Sequence, residues 1–131
     1  MRNRGSAIII ENQKVVLIKR NRNKCVYYVF PGGGIEEGET PEQTTQREAF
    51  EELGVKINVK ECIDKVEYNG IQYFFLSEII EGEVGSGKGE EYTDLNRDRG
   101  TYQPIWMDIK QLSLFDVRPK EVADTIQTLC N

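Results

Sequence analysis

Histidine is absent from this 131-residue chain. Its absence removes Ser-His-Asp and Cys-His nucleophilic triads, histidine general bases and histidine-containing zinc sites, so any acid, base or metal work falls to carboxylates. Cysteine is scarce: Cys25, Cys62 and Cys130 show no Cys-x-x-Cys spacing, and an odd number argues against a secreted disulfide framework, so they read as reduced packing residues. Long apolar runs are missing too. The longest, Ala7-Ile8-Ile9-Ile10 and Tyr73-Phe74-Phe75-Leu76, fall far short of the roughly 18–20 residues that span a bilayer. No signal-type apolar region follows Met1-Arg2-Asn3-Arg4, so no membrane association and a cytoplasmic location are expected. Basic clusters are also lacking. With 22 acidic against 17 basic residues, the chain has no electrostatic footprint for duplex nucleic acid.

The length suits one domain, expected over residues 1–131. Short β-branched runs at Gly5 to Ile10 and Lys14 to Lys19 flank Glu11-Asn12-Gln13 and predict a hairpin. Val26 to Phe30 is a third strand candidate, stopped by Pro31 and the glycines at 32, 33 and 34, which read as a loop. A helix is expected over Pro41 to Leu53. Thr40 offers the N-cap, Pro41 the first helical position, Gln43 the capping-box partner and Gly54 the stop. Lys56 to Tyr68 and Ile71 to Ile80 should form a hairpin about Asn69-Gly70, since both turn residues tolerate positive φ. The glycine-rich stretch 81–100 reads as a long exposed connection. A further strand is expected over Gln103 to Ile109. A closing helix, Pro119 to Leu129, sets Val122, Ala123, Ile126 and Leu129 on one face.

At 100° per residue, the first helix gathers Ala49, Phe50 and Leu53 on one side and Glu48, Glu51 and Glu52 within an arc of about 100° on the other. Like charges at these spacings each cost an isolated helix roughly 0.2–0.5 kcal/mol, and the macrodipole disfavours acids near a helix C-terminus. A plain solvated acidic face is the bland alternative, and Arg47, one turn from Glu51, supports it by offsetting repulsion. The preceding glycines favour a site instead, because they let backbone approach both a metal and a phosphate. Carboxylate and carbonyl oxygens suit a hard cation such as Mg2+ or Mn2+.

The stretch Gly33-Gly34-Ile35-Glu36-Glu37-Gly38-Glu39, seven further residues, and Arg47-Glu48-Ala49-Phe50-Glu51-Glu52-Leu53-Gly54-Val55 together resemble the complete Nudix box. Every fixed position of Gly-x5-Glu-x7-Arg-Glu-U-x-Glu-Glu-x-Gly-U is filled, with U apolar; Ala49 is smaller than the commoner Ile, Leu or Val. The resemblance implies an α/β/α sandwich, with a mixed sheet between the box helix and a C-terminal helix. It also implies hydrolysis of a phosphoanhydride in a nucleoside diphosphate linked to another group, with Mg2+ as cofactor and Mn2+ as substitute. Metal ligands would be Glu48, Glu51, Glu52 and the Gly32 carbonyl. Arg47 would orient a glutamate, and Gly33, Gly34 and Glu39 would form the substrate loop, Glu39 chiefly supporting it. Glu48 is the first candidate for the base that takes a proton from water; Glu90 and Glu91 are rivals from the connection before the last strand.

The alternative is a non-catalytic Nudix-like module that senses a nucleotide or binds a protein, although such modules usually lose box glutamates or the arginine. Two decoys fail. Gly82 to Lys88 mimics a P-loop but is followed by Gly89, and Asp94 to Asp98 mimics an EF-hand opening but has Arg99 at the glycine position. No proline stands at the spacing associated with ADP-ribose hydrolases, which disfavours that subclass. Tyr73 stands near the spacing associated with dinucleoside polyphosphate hydrolases. Tyr27, Tyr28, Tyr73, Phe75 and Trp106 are candidates to stack on a base or to fill the core. The expected partner is a small nucleotide, and a homodimer is left open.

Overall fold

The computed structural model describes residues 2–85 and 101–130. Among the described residues, eight strands and two α-helices follow in the order β1 (Arg4–Glu11), β2 (Lys14–Arg22), β3 (Cys25–Val29), β4 (Gly32–Gly34), α1 (Pro41–Leu53), β5 (Lys56–Glu67), β6 (Ile71–Glu81), β7 (Thr101–Asp108), a 3-10 helix (Ile109–Leu114), β8 (Val117–Arg118) and α2 (Lys120–Leu129). The expected long connection lies outside the described residues from residue 86 to residue 100.

The strands form a mixed sheet in the order β5-β6-β1-β2-β3-β8, with β4 on β1 and β7 on β2. Two pairings are parallel, β1 with β6 and β3 with β8. Both expected hairpins form about left-handed turn residues, Asn12 and Gln13 (φ 51° and 63°) and Asn69 and Gly70 (φ 51° and 113°). A third, between β2 and β3, turns on Asn23 and Lys24 (φ 52° and 64°). The β1–β2 ladder holds only at Ile10 with Val15 and Glu11 with Lys14. Beyond those two pairs the strands part, dividing the sheet into a β5-β6-β1-β4 half and a β7-β2-β3-β8 half.

The central strands are apolar on both faces, as they must be when helices cover both. Ala7, Ile9, Val16 and Ile18 pack with Ala49 and Leu53 of α1, while Ile8, Val15 and Leu17 pack with Val122, Ala123 and Ile126 of α2. This is the sandwich that the resemblance implied.

Three local expectations need correction. The glycines at 32, 33 and 34 form β4 rather than a loop, because the opening of β1 supplies a ladder for their backbone. Phe50 is 60% exposed, since the buried stripe of α1 follows the i, i+4 row Thr45, Ala49 and Leu53. Leu129 is 62% exposed: it is the last residue of α2, and Cys130 caps the helix. The helix α1 itself keeps its anticipated ends. Thr40 Oγ1 accepts from Gln43 N at 3.1 Å, Gln43 Oε1 accepts from Thr40 N at 2.9 Å, and Gly54 closes the helix at φ 76°.

Candidate active site

Strand pleating aims the glycine backbone at α1. In an antiparallel ladder, facing residues alternate between hydrogen-bonded and non-bonded pairs. Ala7 N donates to Pro31 O and Ile35 N to Asn3 O, each at 2.9 Å, so Gly5 and Gly33 face each other as a bonded pair. Gly32 and Gly34 therefore turn their N–H and C=O groups away from β1. Gly32 N donates to Glu52 Oε1 at 2.8 Å, and Gly34 O accepts from Arg47 Nη2 at 3.3 Å. The Gly32 carbonyl shares its N–H direction, toward Glu52. A Cβ on Gly33 would collide with the Glu48 carboxyl group, so only glycine leaves that side chain its place.

The three box glutamates divide into two rows. Glu48 and Glu52, four residues apart, face β4 and line a cleft of about 960 Å³. Glu51 stands in the Arg47 row, half exposed and 3.4 Å from the Arg47 guanidinium. Among the described residues, no three acidic or thiol groups converge closely enough to form a ready-made metal cage. Of the three carboxylates expected on one face, two line the cleft and Glu51 stands beside it. The donors present, carboxylates and a backbone carbonyl, still fit a hard divalent cation.

Arg47 joins the parts. Its Nε and Nη2 donate to the two Glu39 oxygens at 2.7 and 3.1 Å, and its Nη1 donates to Glu48 Oε2 at 2.9 Å. Glu39 also accepts from Glu36 N at 3.0 Å and from Thr44 Oγ1 at 2.8 Å. Arg47 first, then the Glu36 amide and the Thr44 hydroxyl, hold the Glu39 carboxyl down to a pKa of about 2. Glu39 in turn is the main cause that raises the Arg47 guanidinium above its ordinary range. Glu39 therefore latches the loop to the arginine, and it does not line the cleft. Gly33 does line it, while Gly34 lies behind, against Arg2 and Arg47. Glu90 and Glu91 lie outside the described residues.

The cleft opens where β1 and β2 part. Its aromatic lining includes Phe30, Phe74 and Tyr102, none of which was among the stacking candidates. Those candidates lie elsewhere: Tyr28 packs edge-on against Phe115, Tyr73 stacks on Phe75, and Trp106 packs on the α1-side core. Strand register builds the other wall, where Arg20 and Tyr102 line the cleft and Tyr27 backs Arg20 without lining it. Tyr102, Arg20 and Tyr27 lie in one cross-strand row, the Arg20 guanidinium 3.8 Å from the Tyr102 ring centre and 5.6 Å from that of Tyr27. Arg118 approaches Tyr27 at 4.1 Å. Arg20 meets Tyr27 across the β2–β3 hairpin, but only the pairing of β7 with β2, far along the chain, brings Tyr102 into the row.

The chain is 34% identical over 102 residues to an ADP-ribose pyrophosphatase of Methanocaldococcus jannaschii, covering 68% of this chain and 59% of that one. It is also 34% identical over 87 residues to an 8-oxo-dGTP diphosphatase of Escherichia coli, covering 61% and 67%. This chain thus spans little more than half the length of the archaeal relative. Its fold matches that of a solved MutT, from work on Aliivibrio salmonicida and Vibrio cholerae, with a TM-score of 0.74 at 20% identity over 97% of this chain and 96% of that one. No helix among the described residues is long and apolar enough to cross a membrane. Since the NUDIX domain model matches residues 1–128, nearly end to end, the chain belongs to the NUDIX family.

Proposed function

We propose that the chain hydrolyses a phosphoanhydride bond in a nucleoside diphosphate linked to another group, and that it needs a divalent metal, Mg2+ or Mn2+. One observation carries this reading: Glu48 and Glu52, beside the Gly32 backbone, form the acidic end of a cleft whose other walls present arginines. A diphosphate placed there would meet cations on both sides. Metal held by Glu48, Glu52, the Gly32 carbonyl and Glu51 would screen the phosphate charge and acidify a water.

The chain's own residues supply the rest. Arg47 fixes the Glu48 carboxylate through Oε2, orienting it to accept the proton of the attacking water. Glu39 and the Gly34 carbonyl prevent Arg47 from swinging away. Phe30 and Phe74, edge-to-face at 5.7 Å, give the cleft an apolar floor.

The test is release of phosphate or mononucleotide from a panel of dinucleotides, nucleotide sugars and nucleoside triphosphates, with magnesium and with chelator. Metal-dependent turnover of at least one class is expected; none under any condition would favour a non-catalytic nucleotide-binding module. Glu48→Gln should lower the single-turnover rate about 100- to 10,000-fold, a general-base contribution that saturating magnesium does not restore. Rescue by excess metal would reduce Glu48 to a ligand.

A further inference from the structure

The reaction outlined above gives no task to the start of the chain, yet that segment is fastened into the site. Arg2 N donates to Asn69 O at 2.9 Å, Ile71 N donates to Asn3 Oδ1 at 2.9 Å, and Ile35 N donates to Asn3 O at 2.9 Å. Residues 2 and 3 therefore bridge the β5–β6 turn and the end of β4. Gly70, at φ 113°, approaches so closely that a Cβ there would lie 2.6 Å from the Arg2 carbonyl oxygen. So anchored, the Arg2 side chain crosses Gly34, where a Cβ would strike its Nε and Cζ. Arg2 lines the same cleft as Glu48 and Glu52, from the face of β4 opposite Glu48, and makes no ion pair among the described residues.

The type of cation matters. Of eight arginines in the chain, Arg2, Arg4, Arg20 and Arg118 line the cleft; of nine lysines, none lines it among the described residues. Glu48, Glu52, Glu67 and Glu121 line it as well, so among the described residues the cleft sets guanidinium groups against carboxylates and excludes ammonium groups. Arginine presents a planar fork that matches phosphate oxygens two at a time, whereas lysine offers a single strongly hydrated charge. Arg118 is committed to Asp116 at 2.8 Å and Arg20 lies on the Tyr102 ring, whereas Arg2, which makes no ion pair among the described residues, keeps its fork for a phosphate oxygen.

Resting on the hydrolase reading above, we propose that Arg2 is a specificity-determining residue that binds a phosphate oxygen beyond the pair held at Glu48 and Glu52. The cleft then favours substrates with a third phosphate over those whose diphosphate ends in an uncharged group. The Asn69-Gly70 turn is the positioning element that holds Arg2 over Gly34.

The experiment compares kcat/KM for a nucleoside triphosphate and for the nucleoside diphosphate sugar of the same base, in the wild type, Arg2→Ala, Arg2→Lys and Gly70→Ala. A hydrogen bond between charged partners corresponds to about a 10- to 100-fold effect. Arg2→Ala should lose about that factor on the triphosphate, mainly through KM, and less than about threefold on the sugar nucleotide, with an unchanged melting temperature. Arg2→Lys should recover part of the loss, and Gly70→Ala should copy Arg2→Ala. Equal losses on both substrates, or no loss on the triphosphate, would overturn the assignment. If the wild type cleaves neither substrate, calorimetric binding of inorganic tripolyphosphate and pyrophosphate to the wild type and Arg2→Ala decides for Arg2, while the hydrolase reading stands or falls on the full substrate panel. A selective loss of tripolyphosphate binding supports the role; equal binding by both proteins refutes it.

Discussion

Replacing Arg47 by lysine keeps a positive charge on α1 and removes the fork, which separates geometry from charge at the centre of the site. Arg47 reaches acceptors on three different segments: Glu39 in the loop at 2.7 and 3.1 Å, Glu48 on α1 at 2.9 Å and the Gly34 carbonyl on β4 at 3.3 Å. A lysine ammonium is one point, and when it sits on Glu39 it cannot also stand within hydrogen-bond distance of Glu48 and Gly34. Four directed contacts fall to one or two, and the Glu48 carboxylate loses the partner that aims it at Gly33. Groups that orient metal-binding side chains typically change affinity or activity by about 10- to 100-fold when altered. We expect Arg47→Lys to lower kcat/KM by about that factor, with an unchanged circular dichroism spectrum and a higher magnesium requirement. Steady-state hydrolysis across a magnesium titration measures both. Wild-type turnover with a wild-type magnesium profile would refute the reasoning, because charge alone would then suffice.

Acid should weaken the loop latch. The Glu39 carboxyl is held at about 2 against an ordinary 4.5, so its stabilising contribution is complete above about pH 4.5 and is lost as pH falls toward 2. The melting-temperature gap between wild type and Glu39→Gln should close over that window, and a constant gap would contradict it. Glu52→Gln keeps an oxygen able to accept from Gly32 N, so it should fold normally yet lose activity about 100-fold or more, as should Glu51→Gln. Full activity of either variant in trace metal would remove that residue from the ligand set. Leu53→Ala deletes a side chain that is 0% exposed in the α1-side core, and should cost about 2–5 kcal/mol in urea unfolding, with under 1 kcal/mol arguing against tight packing there.

The elements that the sequence announced rest on short-range physics. Thr40, Pro41, Gln43 and Gly54 bound α1 through contacts within a few residues, and Asn69-Gly70 turns its hairpin through local backbone preference. The apolar runs of β1 and β2 required cover on both faces, and the box fixed Arg47 and the three glutamates by spacing alone. Tertiary structure decided what depends on partners far along the chain. Glycines that locally promise a loop became β4 once β1 offered a ladder, and that ladder's alternation turned Gly32 and Gly34 toward α1. Three glutamates that share an arc on a helical wheel were parted by their neighbours, Glu48 and Glu52 toward the cleft and Glu51 toward Arg47 and solvent. The cation and aromatic wall exists because β7 and β3 set Tyr102 and Tyr27 beside Arg20, and the turn at residue 70 delivers Arg2 to Gly34. Apart from Arg20 with Tyr27, which meet across a local hairpin, each of those contacts joins segments distant in the chain, so no local propensity encodes them.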